Sequence, residues 1–145
     1  MTCLDIFKSA LRLLNELGDE FDNGDYAERA PYILSSMFSN AASIDKKYRA
    51  ANGLEEQPAF SPVYTELTAD FPLCDRFASS AAFYLASLLI IDANEQLSDS
   101  FFERFCDGMT AISAEIPPAQ TEEPETPEEP EPPEQWILEG TKNVY

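Results

Sequence analysis

Residues 117–134 are made almost wholly of proline and glutamate, and no packed core can include them. Pro117, Pro118, Pro124, Pro127, Pro130, Pro132 and Pro133 are interleaved with Glu122, Glu123, Glu125, Glu128, Glu129, Glu131 and Glu134. Such a tract has no apolar surface to bury, its like charges repel, and its first prolines end any helix that reaches them. The composition then flips. Trp136, Ile137, Leu138, Val144 and Tyr145 crowd into residues 136–145, and side chains of this kind are costly to leave in water. The chain therefore divides into a body at 1–116, an acidic proline-rich linker at 117–135 and a C-terminal docking segment at 136–145. Those five residues are the candidate partner-binding side chains. An extended polyproline II linker of ~19 residues spans about 55–60 Å. That is enough to carry the docking segment to a neighbouring subunit or a different protein, where it can add a strand to a sheet edge or seat Trp136 and Tyr145 in pockets.

The body is long enough for one modest core, and its apolar residues recur at helical spacing. A first helix over residues 3–17 opens on Thr2 with Asp5 placed for a capping box, carries Leu4, Phe7, Leu11 and Leu14 on one stripe, and stops at Gly18. A second begins after Asp25, capped by Asp25 with Glu28, and meets Pro31 about five residues in, which predicts a kink or a short first turn. Leu34, Met37, Ala41, Ile44 and Tyr48 continue its stripe. Asp45, Lys46, Lys47 and Arg49 form a polar cluster whose cations suit the helix C-terminus, and Asn52-Gly53 ends it. A long connection over 54–70 follows, of the kind that is functional or pinned by a partner. Within it, residues 63–67 suit a helical turn or a short edge strand equally well.

A third helix over 73–93 is apolar nearly all round through Phe77, Ala81, Leu85, Leu88 and Ile91, which places it centrally. A fourth over 99–115 is expected to use Ser98 as N-cap, with Leu97 stapled onto Phe102. Its stripe runs through Phe101, Phe105, Met109 and Ile112, with the Phe101, Phe102 and Phe105 cluster read as core. The fold class that results is all-α: a four-helix bundle-like domain with a kinked second helix and an extended Pro/Glu-rich C-terminal arm.

Charge and chemistry narrow the function. The formal charge is −18, and nineteen acids against eight bases leave the body alone at −11. An acidic surface repels phosphate backbones, so sequence-specific nucleic-acid binding is disfavoured. It suits mimicry of DNA, or the lining of a passage through which DNA slides without sticking. Histidine is absent, and with it the commonest general base, nucleophile activator and transition-metal ligand. The acidic residues Glu16, Asp19, Glu20, Asp22 and Asp25 lack the ligand positions of a calcium-binding loop and read as a solvated turn. Asp92 and Glu95 fit a turn between the third and fourth helices. No glycine-rich phosphate loop is present. Cys3, Cys74 and Cys106 have no histidine partner and no CxxC spacing, which points to free thiols in a reducing cytosol. The longest apolar stretch, residues 81–91, is about half a membrane span, and no basic, apolar leader precedes the first helix. We therefore expect no enzyme activity, no cofactor, no metal and no membrane.

Several segments carry a family resemblance. Leu13-Leu14-Asn15-Glu16-Leu17-Gly18 closes the first helix. Asp25-Tyr26-Ala27-Glu28-Arg29-Ala30-Pro31-Tyr32-Ile33-Leu34 opens the second. An Ala/Leu-rich helix over 81–92 leads through a polar break into Phe101-Phe102-Glu103-Arg104-Phe105, and Asn143-Val144-Tyr145 stands at the far end. In these features, over residues 1–112 and the last few, the chain resembles the head-to-tail connector (adaptor) proteins of tailed double-stranded DNA bacteriophages. It departs from them at Phe83-Tyr84-Leu85-Ala86, where the family commonly has a tyrosine-glycine-leucine-alanine stretch. The resemblance implies a structural virion protein assembled in the host cytoplasm. Its copies would form a ring, commonly a dodecamer, docked below the portal protein through the C-terminal arm. The ring would contact neighbouring copies and tail-side proteins and extend the channel through which DNA passes. The alternative that composition leaves open is an acidic DNA mimic or protein-binding module that occupies a nucleic-acid-binding partner.

Overall fold

A computed structural model describes residues 1–15 and 24–118. The order of elements is α1 (Cys3–Leu13), α2 (Gly24–Asn52), a short 3-10 turn (Asp75–Phe77), α3 (Ala78–Ile90) and α4 (Glu95–Glu115). Among the described residues there is no strand, only an isolated antiparallel bridge between Thr2 and Asp70. The protein is all-α, with four helices in the described residues.

Helix α1 starts as its local sequence dictates. The Thr2 hydroxyl accepts from the Asp5 N–H at 3.3 Å, and Asp5 Oδ2 accepts from the Thr2 N–H at 2.9 Å, which closes a capping box. The helix buries Cys3, Ile6, Phe7, Ala10 and Leu11. It ends four residues before the expected Leu17, because Asn15 takes the left-handed conformation at φ 56°. Asparagine tolerates that conformation better than other non-glycine residues.

Helix α2 runs unbroken from Gly24 to Asn52 with Pro31 inside it. Pro31 has no N–H to give the preceding turn. It is buried, and its carbonyl accepts from the Thr65 N–H at 3.2 Å. Asp25 does not cap the helix through Glu28. It lies within the first turn, where its carboxylate pairs with Arg29 at 3.1 Å. Arg29 also donates to the Leu88 and Leu89 carbonyls at 3.5 and 2.9 Å, so a cation from α2 satisfies acceptors in the last turn of α3. The other end of α2 closes as expected on Asn52-Gly53. Gly53 sits at φ +64°, its N–H reaches the Ala50 carbonyl, and the Leu54 N–H reaches Arg49 at 2.9 Å, which together make a Schellman motif.

Helix α3 begins at Ala78 rather than residue 73, because Cys74 is held extended (φ −61°, ψ 151°) with its N–H committed to Asp45. As its apolar character predicts, α3 is central and packs against α1, α2 and α4. It ends before Ile91, which is exposed.

Helix α4 starts a turn earlier than Ser98. Asn94 is the N-cap, and its side chain accepts from the Leu97 N–H at 3.0 Å. Ser98 is therefore inside the helix and buried. It exchanges hydrogen bonds with Ser87 of α3: Ser98 Oγ donates to the Ser87 carbonyl at 2.8 Å, and Ser87 Oγ to the Ser98 carbonyl at 2.9 Å. Phe101 and Phe105 are core. Phe102 is 43 % exposed and leans on Tyr84 and Phe105 at centroid distances of 6.4 and 5.7 Å.

Small residues line part of the α3–α4 seam and meet closely there. Ser87 meets Ser98, and Gly108 faces Ser80 so closely that a Cβ built on Gly108 would run into Ser80 Oγ. We expect Gly108→Val to lower stability by about 1–3 kcal/mol through overpacking. Ser80→Ala in the same chain should restore part of that loss. Denaturant unfolding of the two single variants and the double variant measures this coupling, and strict additivity would show that the two residues do not press on each other.

Candidate functional site

Two arrangements of side chains stand out from ordinary core packing. One is a buried polar clamp, the other an apolar groove at the end of the bundle.

The clamp is centred on Asp45, whose side chain is 0 % exposed. The sequence placed it in a polar cluster near the C-terminal end of the second helix, and the structure turns it inward. Its Oδ1 accepts from the Cys74 N–H at 2.9 Å, and its Oδ2 accepts from Gln57 Nε2 and Arg49 Nε, each at 2.8 Å. Arg49 spreads its remaining donors over the connection between α2 and α3. Nη1 reaches the Glu55 and Glu56 carbonyls at 3.0 and 3.4 Å, and Nη2 reaches the Pro72 carbonyl at 3.0 Å. Burial by itself raises the pKa of Asp45. Donation from the Cys74 backbone, Gln57, Arg49 and the Cys74 thiol outweighs it and holds the carboxyl below the ordinary aspartate value. Burial, then the neighbouring Asp45, pushes the Cys74 thiol up to about 11. Burial, then the charge of Asp70, does the same to Cys3. Thiols so raised stay protonated near neutral pH, and the protonated form is a poor nucleophile.

The clamp thus orders the connection between α2 and α3. The rest of residues 54–74 is pinned by the chain's own helices. Ser35 and Thr65 share a buried hydroxyl hydrogen bond at 2.7 Å. The Cys3 and Leu4 N–H groups donate to the Ala69 and Leu67 carbonyls at 2.9 and 2.7 Å. Phe60 and Phe71 pack edge-on to the buried Phe38 ring. Residues 63–67 form neither a helix nor a strand. On their outer side Tyr32 and Tyr64 meet in a T-shaped pair at 5.0 Å, 54 % and 43 % exposed, beside the exposed Val63.

The groove lies where the C-terminal arm leaves the body. The last turns of α2 supply Ile44, Lys47 and Ala51, and the end of α4 and the residues after it supply Ser113, Ile116 and Pro118. They enclose a largely apolar cavity of about 700 Å³. The exit is fixed from the side. Arg76 grips the Glu115 carboxylate with two nitrogens, Nη2–Oε1 at 2.6 Å and Nε–Oε2 at 3.1 Å. That hydrogen bond holds Glu115 below the usual glutamate value. It also brings a cation to the negative end of α4, where a carboxylate is otherwise unfavourable.

The expected partner-binding residues Trp136, Ile137, Leu138, Val144 and Tyr145 lie outside the described residues, as do Glu16, Asp19, Glu20 and Asp22 of the acidic turn. Among the described residues no three His, Cys, Asp or Glu side chains come together as a metal cage, and no helix is long and apolar enough to cross a membrane. The groove was only half legible beforehand. Ile44 was visible as an apolar position on the α2 stripe, but nothing local says that the end of α2 meets the end of α4. No protein-family model matches the chain, and neither does any curated protein or solved structure.

The sign of the Asp45 effect is fixed by its lowered pKa. Its stabilisation is fully present above the unfolded value of about 3.9 and is lost as pH falls through the folded value. Asp45→Ala should cost about 3–5 kcal/mol at neutral pH, because Arg49 and Gln57 are left facing an empty site. Asp45→Asn should cost less, and its stability should fall less than the parent's between pH 5 and pH 2 (order-of-magnitude bounds for such a titration). Chemical denaturation across that range checks both. An unchanged acid slope in Asp45→Asn would remove Asp45 from the account.

Proposed function

We propose that this chain is a structural assembly protein without catalytic function: a head-to-tail connector subunit of a tailed bacteriophage. It would form a ring below the portal, engage it through residues 136–145, and extend the DNA channel toward the tail. The observation that carries this reading is the exit of the arm. Helix α4 delivers the chain to an apolar groove at Pro118, braced by Arg76 and Glu115, and residues 119–145 follow. A proline-rich, anionic tether with an apolar segment beyond it is suited to recruiting a partner, and a helical body ordered down to its longest connection is suited to being a rigid wall. The charge of −18 supports a channel lining on which DNA does not adhere.

The same charge favours a second reading, an acidic module occupying the groove of a nucleic-acid-binding protein. Native mass spectrometry and particle imaging of the full chain with a phage portal separate the two. The connector reading expects closed rings on the portal, lost when residues 136–145 are removed. Binding of a basic protein by a monomer, strongly weakened by salt and with no ring on any portal, would support the acidic module instead.

A further inference from the structure

The groove at the end of the bundle has the character of a receiving site. Its walls are mostly apolar: Ala51 and Pro118 are exposed, Ile44 and Ile116 are half-buried, and the exposed Lys47 and Ser113 are the polar exceptions. Lys47 is the one charged side chain among its lining residues, on a body whose net charge is −11. The volume of about 700 Å³ has room for an indole and a branched aliphatic side chain together. The chain itself carries a segment of matching chemistry: Trp136, Ile137 and Leu138 are apolar, and Glu139 follows as a counter-charge for Lys47.

We propose that this groove binds residues 136–139 of a second copy of the chain. Tether length and composition decide between a second copy and the same one. Pro118 lines the groove, so a segment docking in its own groove has to return to the point at which its tether began. Residues 119–135 lie between, with five prolines and seven glutamates. Proline-rich sequence favours an extended path of about 3.1 Å per residue, and like charges oppose its doubling back. A path of that kind would put residues 136–139 some 50 Å from their own groove (about 17 residues at that rise), within reach of the groove of a second copy. The contact is heterologous, arm of one copy into groove of the next. Contacts of that type close into a ring when the rotation permits and run on as a filament when it does not. The inference deepens the assembly reading above and rests on its claim that residues 136–145 dock. It adds the receiving surface and the identity of the first partner.

The test uses the full chain and measures self-association by sedimentation velocity over a wide concentration range, with no portal present. Ala51→Trp fills the groove from an exposed position, Lys47→Glu reverses its charge, and a third variant lacks residues 136–145. All three should keep the parent's thermal transition. Ala51→Trp and the truncated chain should weaken self-association by at least about tenfold, as loss of an anchor contact does, and Lys47→Glu should weaken it in the same direction. Mixing Ala51→Trp, which keeps its arm, with the truncated chain, which keeps its groove, should give a one-to-one complex that neither forms alone. Self-association that survives both changes, a mixture that stays unassociated, or a parent chain monomeric at every concentration overturns the inference. A monomeric parent that still rings on a portal would leave the connector reading standing. Self-association by this groove with no portal ring would leave the inference standing and remove the connector.

Discussion

The course of the connection between α2 and α3 rests on one buried carboxylate. Asp45 is removed from water, and a charge so placed is tolerated only when donors surround it. Those donors come from Arg49 one turn on in the same helix, from Gln57 in the connection, and from the backbone of Cys74 just before the next helical turn. Arg49 is committed in turn to three carbonyls of the connection. Each group is satisfied only when the connection follows its observed course, so the polar network selects that course. The start of α3 is a consequence, since Cys74 cannot be both extended toward Asp45 and the first residue of a helix.

Around that network the packing is conventional in chemistry and specific in shape. The aromatic rings of the connection close on Phe38 of α2, while α3 meets α4 through Ser80, Ser87, Ser98 and Gly108 as well as through the rings of Phe83, Tyr84, Phe101 and Phe105. The two serines at Ser87 and Ser98 show how hydroxyls enter a tight seam without penalty: each donates to the carbonyl of the other.

The functional reading follows from the contrast between body and arm. The body's connection is tied to its helices by hydrogen bonds, and the surface where α4 ends is concave and mostly apolar. Nothing in the clamp is arranged to react. Its carboxylate is saturated with donors, and its thiol is held protonated.

The sequence by itself determined whatever depends on near neighbours along the chain. The Thr2–Asp5 capping box, the Asn52-Gly53 stop, the apolar character of α3 and the exclusion of residues 117–134 from any core are each settled within a turn or two. Tertiary structure decided whatever depends on partners distant in sequence. Asp45 looks like one more surface charge until Gln57 and Cys74 reach it. Ser98 looks like a cap until Ser87 offers a better partner and Asn94 takes its place. Ile44 looks like one more residue of the α2 stripe until the end of α4 brings Ile116 beside it in a groove. The physical reason is the same in each case. A cap or a periodic stripe is stabilised by groups a few residues away, whereas a buried polar group or a concave surface exists only once separate elements have been brought together.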